Sequence, residues 1–232
     1  MKAEDKDMRG LFNIDSGVMS FLTKVADIMI LNVIFIICCI PIVTIGASTT
    51  ALYTITLKMV KNEEAYIFTG FFKAFKENFK ISTIAWLIAM FMGAVLFADY
   101  QLSGTMNEPI ATILRCIFFA LIIVFFFWIS YLFPYIARFE NTLKNYLKNA
   151  ILISIANLPF TLLLTLIVAA IIALFIFVPG QIFLILMTFW IFAGFALHAY
   201  INSIILRKVF AKYEPSDEDE TNKTEDIPET TI

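Results

Sequence analysis

The sequence predicts an all-α, polytopic membrane protein with five to six membrane helices and two amphipathic helices on its cytoplasmic face. Three observations lead there. The chain is 60% hydrophobic, carries 25 Phe and has a mean hydropathy of +0.85, against roughly 45–50% apolar for a soluble domain. Residues 81–102, 113–137, 151–178 and 182–206 each supply the ~20 apolar residues that cross a bilayer as a helix. None shows the ~10-residue alternation of a barrel strand, and only helices satisfy all their backbone groups within one such segment.

Residues 1–24 mix Met8, Leu11, Phe12, Ile14, Val18 and Met19 with charges, as an interfacial lead-in would. Lys24 and Asp27 stand three apart at the mouth of the first apolar run. We read them as a boundary ion pair rather than a proton or ion site.

Residues 25–60 are expected to form a helical hairpin broken at residues 41–46. The first arm ends before Pro41, because a residue preceding proline is pushed out of the α region. Gly46 then supplies an unusual backbone angle, and Ser48 or Thr49 caps a second arm over residues 49–60, about 18 Å long. Charge decides between a hairpin and a single crossing. With a hairpin opening to the cytoplasm, every one of the 17 Lys and Arg residues except Arg115 lies on the cytoplasmic side, as the positive-inside rule requires. Both termini are then cytoplasmic.

Phe68, Phe71, Phe72, Phe75 and Phe79 share one helical face within residues 66–80, with Lys73, Lys76, Glu77 and Lys80 on the remainder. That predicts an interfacial helix with aromatics at the acyl boundary and lysines at the headgroups. A face for a partner protein is the alternative. Residues 81–212 follow as a four-helix membrane bundle. The loop 103–108 lacks Lys and Arg, as an outer loop should. Tyr131 and Tyr135 suit an interfacial belt, with Pro134 kinking the last turn. Residues 139–150 repeat the basic amphipathic pattern, Pro159 interrupts the span 151–178, and a Pro179-Gly180 turn makes the last two spans antiparallel neighbours. Residues 213–232 hold eight acids and one Lys and are expected to be disordered.

Chemistry is sparse. Cys38, Cys39 and Cys116 sit in apolar context and read as small buried hydrophobes. The single histidine, His198, has no second ligand at zinc-motif spacing. Gly-x-Ser-x-Gly and the phosphate loop are both absent. We expect no enzyme, no cofactor, no metal and no nucleic-acid partner. The candidate polar positions inside the membrane are Asn32, Thr44, Thr49, Asn157, His198 and Asn202. Their ordinary role is interhelical hydrogen bonding; a polar midplane site in a small transporter or channel subunit is the alternative.

The set Gly10-Leu11-Phe12, Leu31-Asn32, Pro41-Ile42-Val43-Thr44-Ile45-Gly46-Ala47, Tyr66-Ile67-Phe68 and Phe72-Lys73-Ala74-Phe75-Lys76-Glu77-Asn78-Phe79, with Arg138-Phe139 and Asn149-Ala150, resembles the YesL family of bacterial membrane proteins. The resemblance covers roughly residues 8–212. It implies a multi-spanning protein of the bacterial cytoplasmic membrane, biochemically uncharacterised and often encoded beside carbohydrate ABC-transporter components, and it supplies no site to carry over. The expected function is a non-catalytic accessory or assembly partner of a carbohydrate-uptake system, in contact with the lipid bilayer and with ABC-transporter subunits. Residues 139–159 lack the Glu-Ala-Ala of a permease coupling loop, so the chain is not read as a permease.

Overall fold

The computed structural model describes residues 17–214 except 64 and 106. Most of the lead-in and residues 215–232 of the acidic tail lie outside the described residues. The elements are α1 (Gly17–Cys39), a 3-10 turn (Ile42–Thr44), α2 (Ile45–Val60), α3 (Ile67–Ser103), α4 (Ile110–Arg138), α5 (Leu143–Ala156), α6 (Leu158–Phe177), α7 (Gly180–Phe189), a π turn (Trp190–Gly194) and α8 (Phe195–Phe210). Among the described residues, five helices are long and apolar enough to cross a membrane: α1 from Met19, α3, α4, α6, and α7 with α8 as one rod. The chain is a helical membrane protein.

At 16 residues α2 is about 24 Å long, short of the ~30 Å hydrocarbon core. Yet it is the centre of the molecule. Eleven of its residues are buried, whereas α7 has none. Its N-terminal half is built from Gly46, Ala47, Ser48, Thr49, Thr50 and Ala51, and small side chains let helix backbones come close. Against α3 the approach is close at Gly46, where an added Cβ would meet the Ser82 carbonyl oxygen at 2.4 Å and Trp86 Cβ at 2.6 Å. Leu52, Ile55 and Leu57 then join Leu31, Phe71, Tyr131, Leu132, Leu206 and Phe210 in one core. The hairpin and the downstream helices share that core.

The hairpin turn differs from expectation. The glycines of the described residues all avoid positive φ, and Gly46 is already helical, so it serves close packing rather than a special angle. Neither Ser48 nor Thr49 caps α2, which starts four residues earlier than expected. Thr49 Oγ1 instead donates to Ile45 O at 2.7 Å within the helix. Thr44 Oγ1 lies 2.6 Å from Cys38 O and 2.7 Å from Pro41 O, closing the end of α1. Trp86 Nε1 donates to Ile42 O at 2.9 Å and pins the turn to α3. At the other end Lys24 Nζ donates to Asn62 Oδ1 at 2.9 Å, in place of the expected pairing with Asp27. The start of α1 and the end of α2 therefore lie side by side.

Residues 66–80 are not a separate interfacial helix. They run without interruption into the following span as α3, 37 residues and about 55 Å long. Pro134 lies inside α4 without ending it. The span predicted over 151–178 is divided at Asn157, whose φ of −121° and ψ of 45° break the helix. Residues 151–156 complete α5, and Pro159 falls in the first turn of α6, where its missing N–H costs nothing. Of the cysteines, all three are free, and Cys116 is exposed rather than buried. Around the core, Leu162, Leu166, Ile176, Phe177, Leu184 and Ile185 are exposed, a surface suited to lipid.

Gly46 makes a test of this centre. Replacing Gly46 by Val should lower stability by about 1–3 kcal/mol, the usual range for overpacking, read as a lower thermal midpoint in detergent. Gly180→Val, where an added Cβ meets nothing within 4 Å, should leave the midpoint nearly unchanged.

Candidate functional site

A lone carboxamide in an apolar helix needs partners from another helix, because hydrocarbon offers none. Asn32 finds them across the bundle. It is fully buried, and its Nδ2 donates to Trp190 O at 3.1 Å and Ile191 O at 2.7 Å. Its Oδ1 accepts the Ala196 backbone N–H at 2.9 Å. The two carbonyls belong to the π turn Trp190–Gly194, where the wider winding takes backbone groups out of the regular ladder, and the N–H belongs to the first turn of α8. Gly194 permits the turn's packing: an added Cβ there would lie 2.6 Å from the Trp190 ring.

One turn further on, His198 and Asn202 share a helix face, as their spacing predicts. Asn202 Nδ2 donates to Tyr53 Oη of α2 at 3.3 Å and lies 3.0 Å from His198 Nε2. With the amide donating, Nε2 is the acceptor and the ring proton sits on Nδ1. That Nδ1 and Asn202 Oδ1 are both buried without a hydrogen-bond partner, each costing about 1–3 kcal/mol. The His198 ring borders a cavity of about 570 Å³ walled by Ile36, Ile171, Phe175, Trp190 and Phe195. His198 is the polar member of that wall. A second cavity of about 530 Å³, lined by Phe91, Val95, Val124, Phe125 and Trp128 among others, is apolar throughout.

Asn157 stands apart from this group. Its Nδ2 donates to Ile153 O at 3.1 Å and to Tyr213 Oη at 2.9 Å, and its Oδ1 accepts from Lys212 Nζ at 3.1 Å. It locks the break between α5 and α6 to the end of α8. Thr161 Oγ1 completes that joint on Ser154 O at 2.6 Å. The candidate positions therefore divide: Asn32, His198 and Asn202 gather around the π turn, Asn157 holds a hinge near the charged end, and Thr44 and Thr49 bond their own hairpin. Tyr53 and two hydroxyl pairs escaped sequence reading. The pairs are Thr50 with Ser82 and Thr56 with Ser203, each at 2.8 Å, and they join α2 to α3 and α8.

The phenylalanine face is also divided. Phe71 is fully buried in the core, and Phe75 is half-buried against it, while Phe68, Phe72 and Phe79 are exposed. Phe71 is thus unavailable to lipid. Among the described residues, no group of three or more His, Cys, Asp or Glu side chains could hold a metal ion.

Residues 28–100 match the family model described as "Protein of unknown function, DUF624", a stretch that includes Asn32 and all of α2. The chain is 28% identical over 158 residues to the uncharacterized protein YesL of Bacillus subtilis (strain 168), covering 66% of this chain and 74% of that one. It is 25% identical over 137 residues to the uncharacterized protein YteU of the same organism, covering 57% and 60%. These matches support a YesL-like family. No solved structure matches. The family-model match at residues 28–100 thus takes in most of the hairpin and of α3 and stops short of the π turn, the other half of the Asn32 contact.

Asn32→Leu removes three hydrogen bonds and leaves the buried Ala196 N–H and the part-buried Trp190 and Ile191 carbonyls without their side-chain partner. Bonds of this kind average about 0.6 kcal/mol in membranes and reach about 1.7. The variant should lose about 2–3 kcal/mol in a denaturant titration in detergent. Thr50→Val, which loses one pair, should lose under about 1 kcal/mol.

Proposed function

We propose that this chain is a non-catalytic integral membrane protein that acts as an accessory or assembly partner of a carbohydrate-uptake system. One observation carries the reading. The polar groups of the central helices are used for helix-to-helix bonds, as in Asn32 with the π turn and the Thr50–Ser82 and Thr56–Ser203 pairs. Such bonds fix a scaffold and leave few groups for chemistry. The carbohydrate connection rests on the resemblance, whose members are often encoded beside ABC-transporter components. On this reading the protein resides in the bacterial cytoplasmic membrane with both termini in the cytoplasm. The clustering of Lys61, Arg138 and Arg207 at the ends of α2, α4 and α8 supports that orientation.

A second reading, a small transporter or channel subunit, draws on two buried unpaired atoms, His198 Nδ1 on the residue that borders the 570 Å³ cavity and Asn202 Oδ1 beside it on the same helix face. Purification in mild detergent separates the two. Co-elution of carbohydrate ABC-transporter subunits is the expected result. Uptake of a labelled sugar or ion by liposomes holding this chain alone, lost at least tenfold in His198→Leu/Asn202→Leu, would establish the second reading instead.

Orientation has its own measurement. In a cysteine-free background, an impermeant thiol reagent on intact cells should label a cysteine placed at Asn107 and spare one placed at Lys208. The reverse pattern would invert the topology.

A further inference from the structure

We propose that the ends of α2, α4 and α8 form a binding site for the phosphate headgroup of an anionic phospholipid, a site that Glu214 fills from within the chain. Lys58, Lys61, Arg138 and Arg207 border a small cavity of about 40 Å³ there, together with the acids Glu63 and Glu214. The four cations exceed the two acids by two charges. The Glu214 carboxylate shows what the site accepts. Arg138 Nε donates to its Oε1 at 2.7 Å, and Lys61 Nζ lies 3.8 Å from its Oε2. Two oxygens of one anion are thus held by cations from two different helices, as the two unesterified oxygens of a phosphodiester would be. Arg138 holds the Glu214 carboxyl below the usual carboxylate range. Arg207 is anchored by its own bond to Val60 O at 3.1 Å, so its charge is fixed at the rim.

Position selects a lipid. Arg138 closes the candidate span Ile110–Arg138, and Arg207 stands in the last turn of Gly180–Phe210, the depth at which headgroups meet helix ends. Leu57, Ala137 and Phe210 line the same cavity, so the cations stand directly against the buried core of the bundle at its end. Basic pockets between membrane helices are a known setting for anionic headgroups. The side chains of Lys61, Arg138 and Glu214 are 24%, 33% and 29% exposed, so the carboxylate can leave and a phosphate can enter. Lipid and Glu214 then compete, and lipid binding releases the chain beyond α8 from Arg138.

The test uses the full-length chain in a neutral detergent, with thermal midpoint and equilibrium binding as readouts. Phosphatidylglycerol should raise the midpoint, and phosphatidylcholine should not. Glu214→Gln should bind phosphatidylglycerol at least threefold more tightly, a gain that misfolding cannot produce. Arg138→Gln with Lys61→Gln should lose the preference, whereas Lys144→Gln with Lys148→Gln, removing the same charge from exposed positions on α5, should keep it. Equal effects of the two lipids, weaker binding by Glu214→Gln, or equal loss in both double variants would overturn the proposal. Inorganic phosphate reproducing the midpoint shift at matched concentration would overturn the lipid assignment.

Discussion

The structure depends on one carboxamide. In hydrocarbon an unpaired amide is costly and water is absent to relieve it, so Asn32 must reach protein groups. The groups it reaches are backbone atoms that a regular helix would have kept for itself. Each side supplies what the other lacks: the π turn offers two carbonyls and the start of α8 an N–H, and Asn32 offers the matching donors and acceptor. This contact sets the register of the first span against the last. It also orients Trp190 and Phe195, whose rings lie 4.9 Å apart edge to face, and places His198 one turn below.

Within that frame α2 works as an internal strut. A helix of its length cannot satisfy lipid on all sides, and the surrounding helices remove the need. Its small residues admit α3 closely, its hydroxyls bond outward at Thr50 and Thr56, and its larger apolar residues fill the lower core. The membrane-facing surface is left to the longer helices, whose exposed Leu, Ile and Phe need no specific partner. The bundle is thus apolar on its outside, and the few amides and hydroxyls of its spans are turned inward among an apolar core.

Much of this was legible in the sequence, and the failures have physical causes. Asn32 could be assigned an interhelical partner because a single amide in an apolar run has no other recourse. The Pro179-Gly180 turn and the shared face of His198 and Asn202 follow from local geometry. The π turn did not announce itself: Trp-Ile-Phe-Ala-Gly is an ordinary apolar run until Asn32 is placed beside it. Gly46 reads as a site for an unusual backbone angle because a sequence shows backbone freedom and hides what another helix brings near. The boundary drawn at residue 80 followed a change in polarity, yet neither Pro nor Gly occurs between Gly70 and Gly93, and the backbone had no reason to stop. Phe71 reads as lipid-facing with its neighbours because a helical face does not reveal which of its members a second helix covers.

The span of the Asn32 contact also bears on how the protein is made. Its partners lie 158 to 164 residues downstream, so during synthesis the first helix enters the bilayer with its amide unmet and waits for the last to emerge. Until then it must borrow a provisional partner, from water at the interface or from the insertion machinery. Completion of the chain and maturation of the first helix become a single event. A ribosome product that stops before Trp190 would carry an intramembrane polar group with no native outlet, a mark by which quality control can distinguish unfinished copies from finished ones.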